Sequence, residues 1–241
     1  MKFVGDIDTY WQHGYASVEG WVFPELLDYL KCVSRFQAEA NISGNVGEIG
    51  VHHGRLLIAL SHLSRLGETC LALDVFQDQS ANLDGSGHGS LEKLRTNIAL
   101  YGPPEAKFVF IQADSLALTL PERIAIAQQH APFRIFSIDG GHTLDHTFND
   151  LMLAQDMLVS GGVVLVDDYY NLHWPGVHEG VNFFYSRTVP RIKPFMFAQN
   201  KLFLTSFAFH ARYLRWACDT FSSRRGFKLV NMHGVDAMVA A

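Results

Sequence analysis

Cysteine is scarce: Cys32, Cys70 and Cys218, odd in number and widely spaced along 241 residues, give neither a disulfide framework nor a thiolate zinc motif. Positive charge is also in deficit, with 19 Lys and Arg against 24 Asp and Glu for a formal net charge of −5. The longest basic run is the pair Arg224-Arg225. A nucleic-acid partner held through its phosphates calls for a basic face, so none is expected. No apolar stretch approaches the roughly 18 residues of a membrane span, and "MKFVGDIDTYWQHG" at the N-terminus lacks the apolar core of a secretory signal. Repeats and low-complexity segments are absent. These absences lead to the expectation of a soluble, cytoplasmic chain with no membrane partner, forming a single domain over 1–241. A hydrophobic content of 48% is enough for a sizeable core.

Apolar periodicity predicts an N-terminal helix over 22–40, with Pro24 in its first turn. Strands and helices then alternate. The strands are "NVGEIGV" (45–51), "TCLALDVF" (69–76), "KFVFIQAD" (107–114), "FRIFSID" (133–139) and "GVVLVDDY" (162–169). The helices between them span 55–66, 89–102, 120–130 and 143–159. Each strand is an almost continuous apolar run, the pattern of a parallel sheet covered on both faces. The expected fold is therefore α/β, doubly wound and Rossmann-like, with helices on both faces of a mostly parallel sheet of about seven strands. Two of the seven fall in "KPFMFAQNKLFLTS" (193–206), an antiparallel pair about Gln199-Asn200 at one edge. A helix over 207–221 and a tail holding one more strand or a docked segment complete the chain.

The strand ends carry acids: Glu48, Asp74, Asp114, Asp139 and the pair Asp167-Asp168. In a parallel sheet these ends share one edge, the edge outside which ligands of open α/β sheets bind. "GEIGVHHG" spaces Gly47, Gly50 and Gly54 across the first strand-to-helix turn without matching the G-x-G-x-x-G dinucleotide fingerprint. An acid ending the second strand is placed to accept hydrogen bonds from ribose hydroxyls.

Taken together, "EIGVHHG", "LALDVF", "QADS", "IDGGH" and "LVDDYYN..WPGV" resemble a class I S-adenosylmethionine-dependent methyltransferase. The likeness is to metal-dependent small-molecule O-methyltransferases of the macrolide-sugar and catechol kind, over roughly residues 44–206. The resemblance implies that Glu48, Gly50 and Gly54 line the methionine side of S-adenosylmethionine, Asp74 its ribose, and Asp114 with Ser115 its adenine. Asp139 would stand between cofactor and metal. It further implies that Asp139, Asp167 and Asp168 hold Mg²⁺ or Mn²⁺. Charge points the same way, since three carboxylates in one cleft repel unless a cation joins them.

His142, three residues after Asp139, is the candidate general base for a hydroxyl on a small-molecule acceptor. Tyr169, His173 and Trp174 are candidates for the acceptor's wall. "DGSGHG" (84–89) is either a cofactor lid or a flexible loop, and no chemistry is assigned to His52, His53 or His146. Two other readings stay open: a metal-dependent hydrolase, which leaves Glu48 and Asp74 without a task, and a binding or scaffold protein that keeps the cofactor site without turnover. The N-terminal helix and the aromatic C-terminal segment offer surface for a homo-oligomer.

Overall fold

The computed structural model describes residues 3–240. After helix α1 (Ile7–His13), a short 3-10 turn and α2 (Leu26–Glu39), the chain alternates β1 (Asn45–Ile49), α3 (Arg55–Leu63), β2 (Thr69–Asp74), α4 (Leu91–Tyr101), β3 (Lys107–Gln112), α5 (Leu120–His130), β4 (Phe133–Ile138), α6 (Leu144–Met157) and β5 (Leu158–Val166). Then follow α7 (Pro175–Arg187), β6 (Ile192–Ala198), β7 (Lys201–Ser206), α8 (His210–Phe221), β8 (Lys228–Met232) and β9 (Val235–Ala240). All the strands join one sheet of nine, in the order β3-β2-β1-β4-β5-β7-β6-β9-β8. β1 to β5 are mutually parallel. β7 inserts antiparallel to both β5 and β6.

Each strand of the parallel core buries alternate residues in two apolar layers. Val163 and Leu165 of β5 face the layer containing α1, α2, α3 and α8, whereas Val164 and Val166 face the layer of α6 and α7. Burial on both faces is why these strands read as unbroken apolar runs. Local signals set the helix starts. Ser90 and Thr143 cap α4 and α6 by accepting from Lys93 and His146 backbone N–H groups, and Thr119 with Glu122 forms a capping box on α5.

The expected class is correct, and the expected strand count of about seven rises to nine. The two additional strands are the hairpin β8–β9, whose turn residues His233 and Gly234 both lie at positive φ. Such a two-residue turn matches strand twist. The first long helix begins at Leu26 rather than Val22, with Pro24 and Glu25 in the preceding turn. β5 begins four residues earlier than expected and ends at Val166, because Asp168 adopts φ 57° and turns the chain out of the sheet.

Candidate active site

Carboxyl ends of the parallel strands surround a cavity of about 660 Å³ lined by Glu48, Gly50, Asp74, Asp114, Ser115, Asp139, His142, Asp167 and Asp168, among others. β1 brings Glu48 there 2% exposed, with Oε2 lacking any hydrogen-bond partner. Burial, then the charge of Asp139, pushes its carboxyl well above the usual range. A buried acceptor without a partner is rare enough to mark a place for a ligand's donor.

The turn after β1 passes against the end of β4: a Cβ at Gly50, at φ 79°, would lie 1.7 Å from the Asp139 carbonyl oxygen, so only glycine fits. Asp74 shapes the same turn. Its Oδ2 accepts from the backbone N–H of Val51 (2.6 Å) and His52 (2.8 Å), and its Oδ1 from Phe76 (2.5 Å). A carboxylate has about four acceptor positions, so roughly one is left for a hydroxyl. Gly54 does not line the cavity. It is the left-handed N-cap of α3, and a Cβ there would strike Leu94 at 2.3 Å, so its role is packing.

His142 is held from two sides. Its backbone N–H (2.6 Å) and its Nδ1 (2.8 Å) meet Oδ2 of Asp84, a residue of the β2–α4 connection. Its Nε2 faces Asp168 Oδ2 at 3.2 Å and Asp139 Oδ1 at 3.9 Å, and Trp174 stacks on the ring at 4.3 Å. Burial alone would lower the imidazolium, but Asp168, Asp139 and Asp84 outweigh it and raise its pKa to about 9. Burial likewise opposes ionisation of Asp84, yet hydrogen bonds from Ser86 and His142 hold it at about 2. These carboxylates therefore favour the imidazolium form of His142.

Lys201 is the unexpected member. It is 1% exposed, with Nζ 2.5 Å from Asp167 Oδ2 and 3.8 Å from Asp139 Oδ2. Burial acts to lower the ammonium, and the charges of Asp167 and Asp139 override it. Asp139 itself is raised well above the carboxylate range, by burial first and then by Asp167. Asn200, beside Lys201, donates to Asp168 Oδ1 at 2.5 Å. For Asp168, hydrogen bonds from His142, Asn171 and Asn200 outweigh burial and lower the pKa.

The donor set fits a divalent cation in part. Asp139, His142 and Asp168 bring ligand atoms within 4.8 Å of one another, while the Asp167 carboxylate is already engaged by the ammonium. Hard oxygens from Asp139 and Asp168, with room for water, suit Mg²⁺ or Mn²⁺.

Beyond the end of β3, Asp114 and Ser115 also line the cavity. His146 joins them, its Nε2 3.4 Å from Asp114 Oδ1 and its Nδ1 2.8 Å from Thr143 Oγ1. Beneath them Asp150 is fully buried, and burial raises its pKa to about 6. Of the expected acceptor wall, Trp174 alone lines the cavity. Tyr169 is 2% exposed, its hydroxyl 3.0 Å from His233 Nε2, so its large ring is part of the core. His173 is exposed on the surface turn outside the cavity. Trp21 and Phe23 from the N-terminal segment and Leu83 from the β2–α4 connection line the mouth instead.

A doubly wound sheet with a row of carboxylates around a nucleoside-sized cavity at its carboxyl edge defines a Rossmann-like domain built for a nucleoside cofactor. Residues 48–169 match the family model described as a methyltransferase domain. The chain belongs to that family, the class I S-adenosylmethionine-dependent methyltransferases. No curated protein matches the chain by sequence.

Among solved structures the fold is similar to the O-methyltransferase NovP, with a TM-score of 0.61 and 19% identity over 76% of this chain and 80% of that one. It is also similar to CalS11, a TDP-rhamnose 3'-O-methyltransferase of calicheamicin biosynthesis, at 0.56 and 15% over 82% and 86%. MycE, a methyltransferase of the mycinamycin pathway solved with Mg and SAH, matches at 0.52 and 16% over 85% of this chain and 54% of that one. Among the described residues no helix is long and apolar enough to cross a membrane.

Sequence patterns missed Lys201, Asn200, Asp84 and the N-terminal wall. A signal existed for Lys201, a charged residue opening the otherwise apolar "KLFLTS" directly after the turn. Asp84 lies in a Gly- and Ser-rich connection without periodicity, so its partner had no sequence signal.

Proposed function

We propose that this chain transfers the methyl group of S-adenosylmethionine to a hydroxyl of a small molecule, with His142 as general base. One observation carries the reading: His142 Nε2 faces into the carboxylate cleft beside the cofactor cavity while Nδ1 is tied to Asp84. Glu48 offers its unpaired Oε2 to the cofactor's amino group, Asp74 a remaining acceptor position to the ribose, and Asp114 with Ser115 borders the adenine. Trp174 flanks the base, and Trp21, Phe23 and Leu83 form apolar walls that keep water from the reacting atoms.

Asp139 and Asp168, and Asp167 if it is released from Lys201, would hold a divalent cation. Bound there, such an ion would supply Lewis acidity toward the acceptor oxygen, and its charge would offset those of Asp139 and Asp168 and so favour the neutral imidazole. With neutral imidazole, Nε2 can take the hydroxyl proton, and the rate then rests on holding acceptor oxygen and methyl in line. That MycE, of similar fold, was solved with Mg and SAH supports a metal beside the cofactor.

Calorimetric titration of S-adenosylmethionine with and without Mg²⁺, followed by a screen of hydroxylated acceptors, tests the proposal. His142→Ala should lower turnover by about 10²–10⁴-fold and leave cofactor affinity within twofold. Full turnover in that variant at neutral pH would remove His142 as the base, and failure to bind S-adenosylmethionine would sink the whole reading.

A further inference from the structure

The connection between β2 and α4 does two things at once. Gln79, Ala81, Asn82, Leu83, Ser86 and Gly87 border the cofactor cavity, while Asp84, in their midst, reaches His142. The connection is knitted internally: Asn82 Nδ2 donates to Gln79 Oε1, Ser86 O and Gly87 O, and Asp84 Oδ1 accepts from Ser86 N and Oγ. Gly85 and Gly87, at φ 67° and 61°, make the tight reversal that puts Asp84 at the tip. Among the described residues, the hydrogen bonds that join residues 77–88 to the protein outside the β2–α4 connection are the two from His142 to Asp84 Oδ2, at 2.6 and 2.8 Å. Every other hydrogen bond of that segment stays within the connection between β2 and α4.

Resting on the proposed role of His142, we infer that Asp84 is the positioning residue that fixes its imidazole, so that the base is assembled only when this connection is seated over the cofactor. The geometry makes the case. A carboxylate on Nδ1 keeps that nitrogen protonated and leaves Nε2 as the atom that can accept. Grip on the backbone N–H as well as the ring sets both the position of residue 142 and its χ angles. Among the described residues nothing else polar holds Nδ1, so with the connection lifted the ring keeps its stacking on Trp174 and its Nε2 contacts with Asp168 and Asp139. The same segment walls the cavity, so a cofactor that orders it also presents Asp84 to His142. Linkage then runs both ways: fixing the pair favours the seated segment, and the seated segment favours the cofactor.

The test needs no acceptor, so its failure is separable from failure of the proposed reaction. With ¹⁵N-histidine protein and S-adenosylhomocysteine as the probe, the His142 Nδ1–H proton should resonate far downfield, as expected for a hydrogen bond to a carboxylate. Loss of that signal in His142→Gln assigns it. Asp84→Asn should abolish the downfield position, and Asp84→Glu should partly restore it. In parallel, amides of residues 77–88 should exchange at least tenfold faster in Asp84→Asn than in wild type at saturating S-adenosylhomocysteine, with melting temperatures of the two proteins close. A downfield Nδ1–H that survives Asp84→Asn, or equal exchange protection in both proteins, overturns the inference while leaving His142→Ala turnover to judge the base.

Discussion

Replacing Lys201 by methionine keeps most of the side chain's volume and removes one buried charge. In the native protein the ammonium lies 2.5 Å from Asp167 and 3.8 Å from Asp139, and Glu48, 2% exposed, belongs to the same cluster. Three acids would then share the cleft edge with the His142 ring, 3.9 Å from Asp139, left to offset them. Breaking a buried ion pair by removing one partner costs about 3–5 kcal/mol, because the remaining charge is left uncompensated. For a chain of this size about 2–4 °C of melting temperature accompanies each kcal/mol, so Lys201→Met should melt about 6–20 °C below wild type at pH 7.

The pH dependence has a defined sign. Asp139 and Glu48 have raised folded-state pKa values. As pH falls they take up protons, the repulsion disappears, and the gap between variant and wild type should narrow. A divalent cation fills the missing charge, so Mg²⁺ should raise the variant's melting temperature more than that of wild type. Differential scanning calorimetry over pH 4–8, with and without Mg²⁺, reads all three effects. A variant melting within 2 °C of wild type at pH 7 would refute the assignment of Lys201 as the cluster's internal cation.

Two further outcomes follow from the same geometry. Asp74→Ala should weaken S-adenosylmethionine binding by about 1.5–3 kcal/mol in calorimetry, the range for hydrogen bonds to a charged group, and should loosen the turn whose Val51, His52 and Phe76 N–H groups it now satisfies. Asp150, raised by burial to about 6, contributes stability that is present below its unfolded value near 3.8 and is lost as pH rises to about 6. Asp150→Asn should therefore gain on wild type in thermal melts between pH 4 and 6 and hold that gain above, whereas a difference independent of pH would contradict the buried-carboxylate account.

The parallel core was legible because burial on both faces of each strand leaves a nearly unbroken apolar run such as "VVLV" at the end of β5. The row of acids was legible for the matching reason: the first polar residue after each run marks where the strand leaves the core. Legibility ended where positions depend on chain reversal. β7 runs antiparallel to β5, with Leu202 opposite Val166, so its beginning rather than its end lies on the active edge. Acids at strand ends therefore carry no signal for a lysine at a strand start, whose ammonium offsets part of the cleft's repulsion without a metal. Tyr169 misled for a different cause. It follows the Asp pair in sequence, but the left-handed turn at Asp168 swings it back beneath β6 and α7, against Phe197 and His178.

The closing hairpin divides labour along the chain. Without it, β6 would be the open margin of the sheet, offering unpaired backbone groups beside Phe195 and Met196 to any passing strand. β9 covers that margin in parallel register from Met196 to Ala198, and the new rim is β8, five residues long with Lys228 and Asn231 in solvent. A short rim bearing a charge is a poor template for another chain's strand. Among the described residues none after Lys201 lines the cavity, so the hairpin 228–240 adds nothing to its wall. What the hairpin supplies is colloidal: it shields an apolar margin of the sheet while the chemistry sits at the carboxyl ends of the parallel strands.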